Sequence, residues 1–462
     1  MSVKLTESAF IPGASVGHLQ QQALGLTWRS YRSYSESSLI QLFFPPGFLA
    51  GSIISGDIFK YFIYVNYITG GDTMPKAVKE YLIFAAAMLA LFELTFNTLG
   101  KMLSTLLADA LSRTTSCLDE LLSETGVNPA FRDLVVNGIC PGVGSVLAFV
   151  PVIGILFFLL GILQETGYLA EAASVMERPF NRLGLSGQCV IPLVMGFGCA
   201  VPAVLSASSL TSHTDRVRTI RLIPFMSCSA RLPIYGMFIS CFFPHHRISV
   251  LLILYAAGIL AAIVTALVTG TSGTECRIPS HHKHYHKPDM HAVMSLVSRN
   301  IVGFIRKAFT VIFTASVLIW YLRSYNFDLQ PVSDSSESIL AFCGRTAAPL
   351  FAPLGFGDWR AAAAVIAGLT AKEAVISTLV VASSVSDQTL FTMLSDIFTP
   401  LSAFSFLIFC LLYMPCIATL CTVRNVTGSW RESLLMAILH IAAAWCASFA
   451  VYNVGTFIAG LI

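Results

Sequence analysis

Long apolar runs separated by short polar stretches dominate the chain from Tyr81 onward. Seven of them approach or reach the roughly 20 residues a helix needs to cross a bilayer: Tyr81–Leu99, Gly142–Leu163, Val250–Thr269, Phe309–Leu322 with its flanks, Ala361–Val381, Leu401–Leu420 and Leu434–Leu461. Two more, Val190–Leu210 and Ile220–Phe243, are similarly apolar but carry Pro and Gly in mid-run. The pattern predicts an all-α polytopic membrane protein with about nine hydrophobic segments, some of them broken or re-entrant. Leu103–Leu122 behaves differently. Asp109, Arg113, Asp119 and Glu120 interleave with apolar positions at helical spacing, which predicts an amphipathic helix lying on the membrane surface.

Residues 1–80 form a divergent region. Met1–Ser38 is polar and rich in Ser and Gln. Leu39–Thr69 is aromatic but interrupted by Pro45, Pro46, Gly47, Gly51, Asp57 and Lys60, which predicts an interfacial segment rather than a span. The rest divides into a first membrane half, 81–270, a polar stretch with an amphipathic lead-in, 271–307, and a second membrane half, 308–462. The polar stretch contains His281, His282, His284, His286 and His291. Neither Cys276 nor Asp289 completes a recognisable metal-ligand spacing with them, so a solvated linker is the first reading and a metal-gathering loop the second. Basic clusters at His213–Arg221, Arg299–Lys307 and Arg424–Arg431 belong on the cytoplasmic side by the positive-inside rule. Acidic loops at Asn326–Glu337 and Ser384–Asp396 belong outside. Ala361–Val381, between those two loops, must then break or re-enter.

Composition narrows the class. The chain is 55% hydrophobic and only 11% charged, against about 25% charged residues in soluble domains. With a net charge of +3 and no basic run, membrane lipid is the expected surrounding and nucleic acid is not an expected partner. The 12 Cys are scattered through apolar runs and show no disulfide framework or zinc module. The sequence carries no Gly-x-x-x-x-Gly-Lys-Ser/Thr; its one Gly-Lys pair, Gly100-Lys101, lacks the upstream Gly. There is no nucleotide-binding motif, no HExxH and no arguable Ser/His/Asp arrangement. The expectation is a protein that is not an enzyme and holds no permanent cofactor. No secretory signal is evident at the N-terminus.

The candidate chemistry sits at the interruptions. Val190–Leu210 breaks around Gly198-Cys199 ahead of Pro202, and Ile220–Phe243 breaks at Pro224-Phe-Met-Ser-Cys228. A similar cluster recurs at Tyr413-Met-Pro-Cys416. Breaks at membrane depth free backbone groups that only protein or a water-lined cavity can satisfy, and in transporters such breaks hold the solute. The thiols of Cys199, Cys228 and Cys416, with thioethers at Met226 and Met414, are soft donors that suit Fe(II), Cu(I) or Zn(II) better than Mg(II) or Ca(II). A lone membrane Cys is more often a small packing residue; three at three breaks bring the two readings level. Ionisable residues within the apolar runs, Glu93, Glu165, Arg231, Lys372 and Glu373, are functional candidates because burying charge in a bilayer is costly. Glu165 reads first as a helix cap near an interface. Glu373 is a candidate oxygen ligand or proton acceptor, or the ion-pair partner of a cation. A partner on another helix suits it better than Lys372, because neighbours along a helix do not face each other. Pro192–Gly198 echoes Pro353–Gly357, and Phe225–Cys228 echoes Tyr413–Cys416, which predicts two related repeats.

With these residues in hand, the chain resembles the membrane domain of FeoB, the bacterial ferrous iron transporter. The resemblance rests on Gly142-Val-Gly-Ser-Val-Leu-Ala-Phe149, Gly196-Phe-Gly-Cys-Ala-Val-Pro202, Pro224-Phe-Met-Ser-Cys-Ser-Ala-Arg-Leu-Pro233, Pro349 through Trp359, Ala371-Lys-Glu-Ala-Val375 and Leu412-Tyr-Met-Pro-Cys-Ile-Ala-Thr419. These occur in order over roughly residues 80–460. The resemblance implies a gate-type repeat in each membrane half. It implies Fe2+ as the transported substrate, moving into the cytoplasm across the bacterial inner (plasma) membrane. It also implies Cys199, Cys228 and Cys416 as pathway ligands. The family normally carries an N-terminal GTP-binding domain and a helical coupling domain, whereas about 80 residues without a phosphate loop precede the first run here. A GTPase domain supplied in trans, a small Feo accessory protein and a second copy of the chain in a homo-oligomer are therefore the expected partners. Three positions depart from the family pattern: Ala200 where Asn is frequent, Ser208 where Arg is common, and Val426 where an acidic residue often precedes Thr-Gly. Two other readings remain: a gate-fold carrier of a small organic solute such as a nucleoside, and a membrane interaction subunit that does not transport.

Overall fold

The computed structural model describes residues 76–125, 129–269, 287–328, 330–332, 335–369, 372, 374–382, 390–413 and 416–461. The interfacial segment expected at Leu39–Thr69 and the histidines at 281, 282, 284 and 286 lie outside these residues. Among the described residues no β-strand occurs; one isolated bridge joins Tyr325 to Pro331.

The first half begins with α1 (Lys76–Glu93), which passes through a π-helical turn, Leu94–Thr98, into α2 (Leu99–Glu124). The short α3 (Pro129–Asp133) and a second π stretch, Leu134–Ile139, lead into α4 (Cys140–Glu165). Two short helices follow, α5 (Tyr168–Val175) and α6 (Glu177–Arg182). Next come α7 (Val190–Gly198), α8 (Ala200–Ala207), α9 (His213–Leu222), α10 (Leu232–Phe242) and α11 (Arg247–Val268). The second half comprises α12 (Met290–Ser324), α13 (Ile339–Phe351), α14 (Trp359–Ala367), α15 (Ala374–Ala382), α16 (Leu390–Ser395), α17 (Pro400–Leu412), α18 (Ile417–Thr427) and α19 (Trp430–Leu461).

The expectation is about nine hydrophobic segments, some of them broken or re-entrant; among the described residues fewer helices are long enough to span on their own. Among the described residues, four stretches are long and apolar enough to cross a membrane: His213–Phe242, Arg247–Val268, Pro400–Thr427 and Trp430–Gly460. A fifth results if Ile339–Leu354 and Trp359–Ala367, bent by 104°, form one span. Breaks divide two of the expected segments. Val190–Leu210 is divided between α7 and α8, and Ala361–Val381 between α14 and α15, so neither contributes a continuous long helix. The lead-in within 271–307 and the run Phe309–Leu322 merge into the single 35-residue α12.

Helix α4 is apolar all round, the pattern of a helix covered on every side, and it packs along α12. Small residues make that approach close. A Cβ added at Gly138, just before α4, or at Gly142, Gly154 or Gly161 would stand 3.1–3.3 Å from Trp320, Ser316, Ile301 or Val293, respectively. Small-residue faces are how helices associate in lipid, where apolar burial gives little drive. The expected amphipathic helix is α2. It packs on α4 while turning Met102, Leu103, Leu106 and Leu121 outward.

Asp119 of α2 pairs with Arg132 at 2.6 Å, and both side chains are over a third exposed. The guanidinium holds the Asp119 carboxyl below its ordinary value. A lowered carboxyl stabilises the fold above its unfolded value near ~4, and that contribution disappears as pH falls through the folded value. Asp119→Asn is expected to cost less than about 1 kcal/mol at pH 7 after solvent screening. The cost should shrink as pH falls below about 4 and vanish once the folded carboxyl is protonated, checked by thermal unfolding across that range.

The core centres on α17, buried from Ser402 to Leu412 apart from Phe404 and packed by α10, α11 and α19. Buried polar groups join its neighbours. Ser405 donates to the Leu354 carbonyl at 2.8 Å, and Ser448 donates to the Ser405 carbonyl at 3.0 Å. Arg218, 6% exposed, donates to the carbonyls of Leu183, Gly184 and Ala266, satisfying chain ends that lack helical partners.

Candidate functional site

Three interruptions meet near the middle of this core, and prolines explain their positions. A helix continuing past Gly198 would need the N–H of residue 202 for the Gly198 carbonyl. Pro202 has none, and its ring would strike that oxygen. Cys199 is accordingly extended, at φ −153° and ψ 133°, between α7 and α8. The freed Gly198 carbonyl accepts instead from the Ser229 hydroxyl at 3.1 Å, tying the first break to the second.

The second break runs from the 3₁₀ turn Ile223–Phe225 to the 3₁₀ turn Ser229–Arg231. Met226 and Cys228 are both extended within it. Pro233, one residue into α10, cannot donate to Ser229, so the helix cannot reach further back. Met226 is buried and presses on α7, where a Cβ at Gly196 would lie 3.1 Å from its own Cβ. Helix α11 approaches from the other side: a Cβ at Gly258 would stand 2.7 Å from the Phe225 carbonyl oxygen. Gly258→Val is therefore expected to force α11 away from the break. Its cost should be about 1–3 kcal/mol of stability, read by thermal unfolding in detergent.

The third break follows α17. Tyr413 and Cys416 are extended, and α18 starts at Ile417, whose N–H donates to the Leu369 carbonyl at 3.1 Å just after α14. The Cys416 thiol is 3.2 Å from the Thr419 hydroxyl. Met414 and Glu373 lie outside the described residues.

The breaks bring charge and sulfur together. Lys372, 4% exposed, places Nζ 3.2 Å from the centroid of the Tyr413 ring, a close cation–π contact. It is within electrostatic reach of Arg231, Cys228, Cys410 and Cys416. Arg231, 2% exposed, is within reach of Cys228, Tyr235, Tyr413 and Cys410. Cys228 and Cys416, from different halves of the chain, are thus near each other, while Cys199 joins them through the Ser229–Gly198 bond. Among the described residues, no three His, Cys, Asp or Glu side chains converge as a metal site. The two echoing pairs also differ in setting. Phe225–Cys228 and Tyr413–Cys416 both fall on breaks, whereas Pro192–Gly198 lies in helix α7 and Pro353–Gly357 in the turn between α13 and α14.

Two groups at this junction escaped the reading of the sequence. His440, midway along α19, is fully buried, stacks on Phe225 with centroids 4.2 Å apart, and bonds through Nδ1 to the Met436 carbonyl at 2.8 Å. Its Nε2 has no hydrogen-bond partner among the described residues, and neither does the buried Tyr413 hydroxyl. The rule that flagged Glu93 and Lys372, an ionisable residue inside an apolar run, applies equally to His440. Glu93, by contrast, is exposed at the end of α1.

The sequence model of a gate family described as nucleoside recognition matches residues 146–242 and 305–430, two stretches that each contain breaks. The chain is 38% identical over 377 residues to the Fe(2+) transporter FeoB of Staphylococcus aureus (strain MSSA476), covering 81% of this chain and 57% of that protein. The chain is thus similar to the membrane (gate) domain of FeoB over most of its length. It is 34% identical over 352 residues to the Fe(2+) transporter FeoB of Methanocaldococcus jannaschii, covering 73% of this chain and 52% of the relative. A third relative, 31% identical over 377 residues, is the Fe(2+) transport protein A/Fe(2+) transporter FeoB fusion protein of Porphyromonas gingivalis, with 71% of this chain and 44% of that protein aligned. The chain therefore spans about half the length of these FeoB relatives. This similarity and the apolar helices together support a multi-pass membrane protein.

Proposed function

We propose that this chain conducts Fe2+ across the bacterial inner membrane toward the cytoplasm, by way of the junction of the three breaks. The observation that carries the proposal is that two unwound segments from opposite halves of the chain set Cys228 and Cys416 within electrostatic reach of each other. Thiols and the Met226 thioether are soft donors suited to Fe(II). Freed carbonyls stand in for part of the hydration shell. Cys199 supplies a further thiol one break away. Glu373 is proposed as the charge-balancing group, next in sequence to Lys372.

Coupling to GTP hydrolysis is proposed to come from a GTPase module acting with this domain, and the Porphyromonas fusion favours a small accessory partner of the A type. The test is anaerobic Fe2+ uptake into liposomes containing this chain alone, beside the Cys199→Ser/Cys228→Ser variant. Uptake by the wild type that the variant loses would support the path. No uptake by either would sink stand-alone transport. The family description of nucleoside recognition favours a second reading, carriage of an organic solute. Nucleoside uptake that survives the double substitution would select it.

A further inference from the structure

Arg231 is the most deeply buried cation of the junction, 2% exposed, yet it makes no ion pair with a carboxylate among the described residues. Its Nη1 donates to the Met226 carbonyl at 3.3 Å and its Nη2 to the Pro224 carbonyl at 3.2 Å. Both bonds are long for charge-assisted ones, and Nε is buried without a hydrogen-bond partner among the described residues. A buried cation whose hydrogen-bond partners among the described residues are neutral carbonyls is expensive at membrane depth. Arg218 bridges carbonyls with a bond of 2.9 Å to Leu183, whereas Arg231 holds its two acceptors at longer range and stands within electrostatic reach of Cys228. The charge is nonetheless placed on the two carbonyls that the second break frees, beside Cys228.

Those carbonyls and that thiol are the donors a passing cation would use. The guanidinium occupies them as a cation that cannot leave, because it is covalently part of the chain. A second positive charge entering the same low-dielectric space meets repulsion as well as occupied acceptors. Lys372, from the second half, adds its charge within reach of the same thiol. We propose that Arg231 is a tethered-cation gate: its guanidinium holds the Pro224 and Met226 carbonyls in the resting state, keeps ions out, and must swing away for a cation to pass.

This inference rests on the same junction as the transport reading but not on iron being the substrate. The test is passive flux of Mn2+ and of Na+ into liposomes carrying the full chain, with Arg231→Gln and Arg231→Lys compared to wild type. Gln keeps a hydrogen-bond donor for one carbonyl and loses the charge. Lys keeps the charge and loses the fork. Arg231→Gln is expected to raise passive flux by at least about tenfold, because removing one charge from a low-dielectric path lowers the barrier by at least the ~1.4 kcal/mol that a factor of ten requires. Arg231→Lys should stay within about threefold of wild type, since the tethered charge remains.

Equal flux in wild type and a folded Arg231→Gln protein would overturn the gate. So would equal leak in both variants, because the hydrogen-bond fork rather than the charge would then close the path. If Arg231→Gln does not fold, Arg231→Met replaces it, a neutral chain of similar reach that avoids a buried amide. Failure of both neutral variants to fold, while Arg231→Lys folds, would also overturn it and leave Arg231 a structural role. A leak in the neutral variant without Fe2+ uptake by the wild type would keep the gate and reject the iron reading.

Discussion

Replacing Cys228 and Cys416 together by Ser is expected to lower Fe2+ uptake by at least about tenfold, the smaller end of what losing even a residue that merely orients a metal ligand does. The effect should be larger than that floor, because both residues are proposed as ligands themselves. Ser is close to isosteric with Cys, and both positions are half-buried at extended backbone, where a hydroxyl can find a carbonyl or water. Folding should therefore survive, with a melting shift corresponding to less than about 1.5 kcal/mol. What changes is donor softness. An alcohol is a poor ligand for Fe(II) beside a thiolate. Anaerobic uptake and thermal unfolding measured on one preparation separate the two effects. Uptake retained by a stable double variant would remove the thiols from the path.

The sequence makes the helical membrane class, the break positions and the sulfur at those breaks legible, because each has a local cause. Pro202 and Pro233 forbid the hydrogen bonds that a continuous helix needs, and hydrophobic runs report burial or lipid directly. What the sequence hides is mutual placement. Nothing near residue 231 signals that its side chain reaches back to Pro224 and Met226, or that Lys372 stacks on Tyr413 from 41 positions earlier in the chain. His440 lies in an apolar run far from any break, and its role depends on α19 crossing behind Phe225. Runs also overstate spans. Ala361–Val381 has a membrane helix's length and hydropathy, and only its place between two acidic loops marks it as broken; it is divided between two nine-residue helices. Long-range side-chain reach depends on tertiary contacts that composition does not carry.

Phe406→Ala is expected to destabilise the protein by about 3 kcal/mol, near the lower end for removing a buried Phe. Phe406 is fully buried in α17, with ring centroids 5.1 Å from Phe238, 5.0 Å from Phe398 and 5.2 Å from Phe356. Lipid is as apolar as a protein core, so little of the loss comes from transfer out of water. The loss is of dispersion and ring packing, together with the cavity left where three elements converge. That cavity bears on the junction as well. Phe406 stands about two turns before Tyr413, and Phe409 stacks on Tyr413 with centroids 5.4 Å apart at 20°. Tyr413 in turn lies under the Lys372 ammonium. Loosened packing at Phe406 should therefore lower uptake along with stability, whereas Phe406→Leu, which refills most of the volume, should recover much of both. Unfolding in detergent gives the stability change and liposome uptake the functional one. A loss below about 1 kcal/mol would show that the aromatic cluster repacks around the gap, and uptake would then be expected to stay at the wild-type level.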